Sequence, residues 1–209
     1  MPFRLHLHLP VRAKQIPLKG SGVPLDAAYY QVLHEQSRGY QRNNWLADDA
    51  ELLAADARSI IELGCGNGRF LVQALGHFET VCGCDWALSP LLLRTLTRHP
   101  SLRFLKLNLI EDALPGGLDL ACSGDLLEHL PTTCLDAVLP KLDGCAAMAY
   151  HKIACFDDGH AHLSILPPEE WLERFRRIDP GYVLRVDESR GATRRVAVIT
   201  KGFGVRHGA

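Results

Sequence analysis

From residue 58 onward, short apolar runs alternate with stretches of helical period. Ser59–Leu63 reads as a buried strand, 68–75 as a helix, Thr80–Asp85 as a second strand and 89–98 as a helix with Pro90 in its first turn. Strands follow over 102–108 and 118–122, then a helical stretch over 125–139 and a strand over 145–153. Pro167-Pro168-Glu169-Glu170 opens a helix that carries Trp171, Leu172 and Phe175. The last two runs, 182–188 and 193–201, are joined by Ser189-Arg190-Gly191-Ala192 and predict a hairpin. Strands separated by helices require crossover connections, so the sheet is expected to be mostly parallel with an antiparallel edge.

Upstream, Asp26 is an N-cap candidate for a helix through Tyr29, Tyr30, Leu33 and His34, and a second helix is predicted over 44–55 through Trp45, Leu46, Leu52 and Leu53. Residues 1–25 carry Pro2, Pro10, Pro17, Pro24 and a Gly-Ser-Gly stretch without periodicity. The expected organisation is a loosely ordered lead-in over 1–25, a helical lid over 26–57 and one α/β domain over 58–209.

Composition narrows the function classes. The chain has 209 residues, is 47% hydrophobic and carries a formal charge of −1, which gives no general attraction for phosphate backbones or anionic lipid. Nucleic acid is therefore not the expected partner. No apolar run approaches the roughly 20 residues that span a bilayer, and the first residues lack the apolar core of a secretion signal. The seven cysteines include no Cys-x-x-Cys pair and sit mostly in apolar runs. They read as reduced core thiols, and a cytoplasmic location is expected.

The most informative segment is Ile60-Ile61-Glu62-Leu63-Gly64-Cys65-Gly66-Asn67-Gly68, a buried strand running into a glycine turn and then a helix. Such a turn lets a ligand approach the backbone and turns helix N–H groups toward it. A dinucleotide fingerprint would need glycine at position 69, where the chain has Arg69, so a nicotinamide cofactor is excluded. Asp85, at the end of the next strand, is placed to accept hydrogen bonds from ribose hydroxyls.

Glu62-x-Gly64-x-Gly66-x-Gly68 followed by Asp85 resembles the class I S-adenosylmethionine-dependent methyltransferases. The resemblance covers about residues 58–201 and continues through Asn108 at the third strand's end and the stretch from Asp119 to Leu130 with its Leu-Glu-His. It implies a Rossmann-like, seven-stranded sheet in the order 3-2-1-4-5-7-6, strand 7 antiparallel, with helices on both faces. It implies further that Gly64, Gly66 and Gly68 line the methionine moiety, that Asp85 holds the ribose, and that Asn108 and Leu109 approach the adenine amine. Trp86 either flanks the adenine or packs. Glu62, Cys65 and Ser123 complete the expected cofactor set.

The acceptor is read from what the loops offer. Amino-group methyltransferases often resemble one another in an Asn/Asp-Pro-Pro-aromatic loop, and here that loop is Cys122-Ser123-Gly124-Asp125, which points away from base or glutamine methylation. Cys134 lacks the Pro-Cys partner of the cytosine C5 enzymes. A hydroxyl acceptor needs a base or a metal. Asp125, Glu128 and His129, at i, i+3 and i+4, would share one helix face. Their spacing resembles the acid-x-x-Glu-His of ubiquinone-pathway O-methyltransferases, which implies a divalent metal on these three residues. Glu128 and His129 are candidate catalytic groups, and His160, from the cluster Asp157-Asp158-Gly159-His160-Ala161-His162, is an alternative base. Asp157-Asp158 could also imitate the magnesium-binding pair of sugar O-methyltransferases.

Tyr40, Asn44, His151 and His162 are the candidate acceptor contacts. With Tyr29, Tyr30, Arg42, Asn43 and Trp45, the aromatic and amide content of the lid suggests a saccharide, such as a surface polysaccharide or its precursor. Two alternatives stay open. One is an RNA methyltransferase using a basic face of Arg174, Arg176, Arg177, Arg194, Arg195 and Arg206; the other is a non-catalytic S-adenosylmethionine-binding module. An aminopropyltransferase is disfavoured, because the paired acid it needs after the fourth strand is absent.

Overall fold

A computed structural model describes residues 25–203. All but the last residue of the expected lead-in, and Arg206, lie outside the described residues. Seven strands form one sheet: β1 (Ser59–Leu63), β2 (Thr80–Asp85), β3 (Arg103–Lys106), β4 (Leu118–Gly124), β5 (Ala146–Ala154), β6 (Val183–Asp187) and β7 (Val196–Lys201). Their order is β3-β2-β1-β4-β5-β7-β6. β1 to β5 run parallel, and β7 lies antiparallel to both β5 and β6. The expected order and edge hairpin are both present.

The central strands are mostly apolar because both faces of the sheet are covered. Alternate residues go to opposite sides. Ile61 and Ala121 join the core under α6 (Thr132–Asp143) and α7 (Pro168–Arg176), with Leu135, Leu139, Trp171 and Phe175. Ile60 and Leu120 join the opposite core, under α4 (Arg69–Ala74) and α5 (Pro90–Arg98), with Phe70, Leu71 and Leu92. All seven cysteines are free thiols, and Cys82 and Cys84 belong to the first of these cores. Among the described residues no helix is long and apolar enough to cross a membrane.

Two helical expectations need correction. The stretch over 44–55 is not one helix: α1 (Ala27–Gln36) and α2 (Arg38–Arg42) are followed by turns and the short α3 (Ala50–Leu53). Asn44 Oδ1 accepts from the Leu46 N–H at 2.9 Å, a local turn that competes with helix initiation. The stretch over 125–139 is broken as well. Asp125 takes a left-handed conformation with φ 60°, Leu127–His129 forms a single 3-10 turn, and α6 begins only at Thr132. Pro131 disfavours helical geometry at Leu130, whose backbone is extended.

After β1 the chain builds β2 and β3 on one side, then crosses over to build β4 and β5 on the other. The carboxyl ends of β1 and β4 therefore border the crevice where open α/β sheets take their ligands. The N-terminal helices are tied down across it. The Gln31 amide exchanges hydrogen bonds of 3.0 and 3.1 Å with the Leu88 backbone, and Asn67 Nδ2 donates to the carbonyls of Tyr40 and Asn43 at 3.1 and 2.8 Å.

Candidate active site

A cavity of about 260 Å³ opens at the carboxyl ends of β1, β2 and β4 beneath α1 and α2. Its floor is the glycine turn. Gly64 has φ +70° and Gly66 has φ +50°, a region costly for other residues, and a Cβ on Gly64 would stand 2.7 Å from Leu126 Cδ1. Gly64→Ala is expected to cost at least about 1–2 kcal/mol of stability from the backbone conformation alone. The measurement is the thermal midpoint of the variant against the parent; an unchanged midpoint would show that the turn relaxes freely.

Asp85 braces that turn. Its Oδ2 accepts from the Gly66 N–H at 2.8 Å and its Oδ1 from the Ala87 N–H at 2.9 Å. Each oxygen keeps a lone pair, and Asp85 lines the cavity together with Cys65, Trp86, Asn108 and Leu109. Trp86 lies 6.3 Å from Tyr30, centroid to centroid. Of the expected cofactor residues, three stand behind the cavity wall. Glu62 is buried and accepts from Asn44 Nδ2 at 2.9 Å; burial raises its pKa well above the carboxylate range, against the pull of that hydrogen bond. Gly68 caps α4, where an added Cβ would meet Leu92. Ser123 is buried and bonded to His151 Nδ1 at 2.9 Å.

The wall on the β4 side carries Asp125, Leu126, His129 and Leu130. Tyr30 Oη, from α1, lies 3.4 Å from His129 Nδ1. Burial lowers the His129 pKa, so the imidazole is neutral near pH 7. His162 packs edge-on against it with ring centroids 4.9 Å apart. The His162 Nδ1–H donates to the Phe156 carbonyl at 2.6 Å, while Nε2 faces Asp125 Oδ1 at 3.6 Å and Asp158 Oδ2 at 3.8 Å. Burial depresses its pKa, but these partners and Glu128 outweigh burial and bring it to about 9.

Other expected acceptor and catalytic groups fall elsewhere. Glu128 is fully buried: Oε1 accepts from the Ala154 N–H at 2.5 Å, Oε2 has no hydrogen-bond partner among the described residues, and burial raises its pKa. The 3-10 turn, tighter than the expected helix, carries Glu128 inward while His129 faces the cavity. His160 is exposed and away from the cavity lining, its N–H donating to Asp158 Oδ1. His151 is a core residue stacked on Phe175 at 5.4 Å, its pKa driven down to about 3 by burial. Tyr40 and Asn44 do line the cavity, but both ends of the Asn44 amide are bonded, to Glu62 and Leu46. His34, outside the expected set, lines it too; its position four residues after Tyr30 on one helix was the available signal.

No protein-family model and no curated protein sequence matches the chain. Solved structures do. The 1,6-didemethyltoxoflavin-N1-methyltransferase of Burkholderia thailandensis, with bound 1,6-didemethyltoxoflavin and S-adenosylhomocysteine, superposes with a TM-score of 0.63 at 14% identity over 80% of each chain. DhpI in complex with S-adenosylhomocysteine gives 0.62 at 18% identity, over 85% of this chain and 95% of its own. An O-methyltransferase family protein from the same Burkholderia gives 0.61 at 16% identity; the match takes in 87% of this chain and 61% of that protein. The fold is that of the class I methyltransferases. In the class I arrangement the carboxyl ends of β1, β2 and β4 border the crevice, which is where the glycine turn, Asp85 and the His129 wall are found.

Proposed function

We propose that this chain is an S-adenosylmethionine-dependent methyltransferase acting on a hydroxyl of a small molecule. The observation that carries the reading is the sharing of one crevice by the Asp85-braced glycine turn and the polar wall of Asp125, His129 and Tyr30. The residues present fit the cofactor. The turn is a cradle that a Cβ would fill, and Asp85 keeps acceptor capacity at the cavity edge.

S-Adenosylmethionine supplies a methyl group already activated on a sulfonium, so the chain's own residues chiefly position the acceptor and take its proton. Asp85 holds the ribose hydroxyls. Trp86 and Leu109 form apolar walls for the adenine, beside Asn108. The glycine turn receives the methionine end, and the acceptor hydroxyl gives up its proton on the Asp125–His129 wall. Tyr30 and Tyr40, tied down over the crevice, keep bulk water from the transfer.

The narrower expectation of a saccharide rests on the amides and aromatics of the lid. With the Asn44 amide held inside the fold and Tyr30, Tyr40 and Trp45 facing the cavity, a compact hydroxylated acceptor with an apolar or aromatic body has better support. The test is incubation with methyl-labelled S-adenosylmethionine and separate panels of phenols, aliphatic alcohols, glycans, amines and RNA. Label on the oxygen of a small hydroxylated compound is expected. Label only on nitrogen or on RNA would overturn the proposal.

A further inference from the structure

We infer that Asp125, His129 and His162 form a binding site for a divalent transition-metal ion at the acceptor side of the crevice. The inference deepens the function proposed above and rests on it for the ion's purpose, though not for its binding. The three side chains come from three separate segments: the left-handed residue after β4, the 3-10 turn, and the loop after β5. One ligand atom from each lies within 4.8 Å of the others, close enough for a small shift to enclose an ion.

The surroundings support ligation. His162 Nδ1–H is fixed by the Phe156 carbonyl at 2.6 Å, so an ion would displace the Nε2 proton that faces Asp125, and the Nδ1 bond is the outer bracing that ligating imidazoles characteristically have. The His129 ring also interacts with the Ala161 backbone on the same loop. Asp125 is, among the described residues, the only non-glycine residue with positive φ, a strained conformation of the kind that collects at functional sites. Asp158 stands behind His162 and adds negative charge that favours a cation. Asp125 and His129 line the cavity, so coordination positions not taken by protein would open toward the acceptor.

Two imidazoles and one carboxylate suit zinc, iron, cobalt, nickel or manganese, whereas magnesium prefers oxygen ligands throughout. This ligand set differs from the expected Asp125, Glu128 and His129, because Glu128 is bonded inward to Ala154. It also omits the Asp157–Asp158 pair. A divalent ion here would lower the pKa of a hydroxyl that reached it.

The test uses the full chain, stripped of metal with chelator and titrated with cobalt(II), followed by visible absorption and by elemental analysis after gel filtration. One equivalent of cobalt with ligand-field bands is expected, unmoved by excess magnesium. Asp125→Asn and His162→Asn should each weaken cobalt binding roughly 100-fold or more, given that even outer-shell losses cost 10–100-fold. Glu128→Gln should retain the bands. His6 and His8 are replaced by alanine in a parallel chain, so that any signal they supply is subtracted. Absence of the bands, displacement by magnesium, or full binding in both Asp125→Asn and His162→Asn would overturn the inference; if His162→Asn fails to fold, Asp125→Asn decides. Calorimetry with S-adenosylhomocysteine on the same samples separates the two proposals: cofactor binding without cobalt binding removes the metal alone, and cobalt binding without cofactor binding removes the methyltransferase reading.

Discussion

Asp85→Ala is expected to lower S-adenosylhomocysteine affinity by about two orders of magnitude. Hydrogen bonds to a charged group contribute about 1.5–3 kcal/mol each, so losing two to the ribose costs at least about 3 kcal/mol, at about 1.4 kcal/mol per tenfold. Asp85 also braces Gly66 and Ala87, and the variant would loosen the glycine turn. Asp85→Asn separates these roles, since it keeps one acceptor oxygen and the shape but loses the charge. It should fall between the parent and the alanine variant. Isothermal titration of each folded variant is the measurement, and parental affinity in both would sink the cofactor assignment.

His129→Ala should reduce methyl transfer by roughly 10²- to 10⁴-fold, the range over which help with proton removal contributes, whether the imidazole takes the proton itself or holds an ion that acidifies the hydroxyl. Cofactor affinity should stay near the parent's, because His129 lies on the β4 side of the cavity, across from the Asp85 brace. His160→Ala is the matched control: it removes an exposed histidine away from the cavity and should leave turnover intact. Single-turnover rates with the accepted substrate make the comparison. Equal rates for the two variants would remove His129 from the reaction.

Much of the fold was legible because its determinants are local. A run such as Ile60-Ile61-Glu62-Leu63 can be stable only with both faces covered, and strand–helix alternation leaves few ways to do that. The glycine turn was legible for the same reason, since positive φ at Gly64 and Gly66 is a property of one residue and its neighbours. Asp85 followed from its position at the end of the second strand.

The acceptor side was less legible. Spacing at i, i+3 and i+4 groups Asp125, Glu128 and His129 only if the backbone is helical, and Pro131 with left-handed Asp125 makes it a tight turn. Glu128 then points to Ala154 in the core, and its place beside His129 is taken by His162. Likewise His151 and Ser123 alternate into the core on strands whose facing no motif specifies. The sequence by itself determined the alternation of strands and helices, the glycine turn and the acidic residue after the second strand, because each depends on local backbone preference and period. Only the tertiary structure decided which histidine meets Asp125 and His129, because the β5 loop reaches them through packing and backbone hydrogen bonds that no short-range pattern encodes.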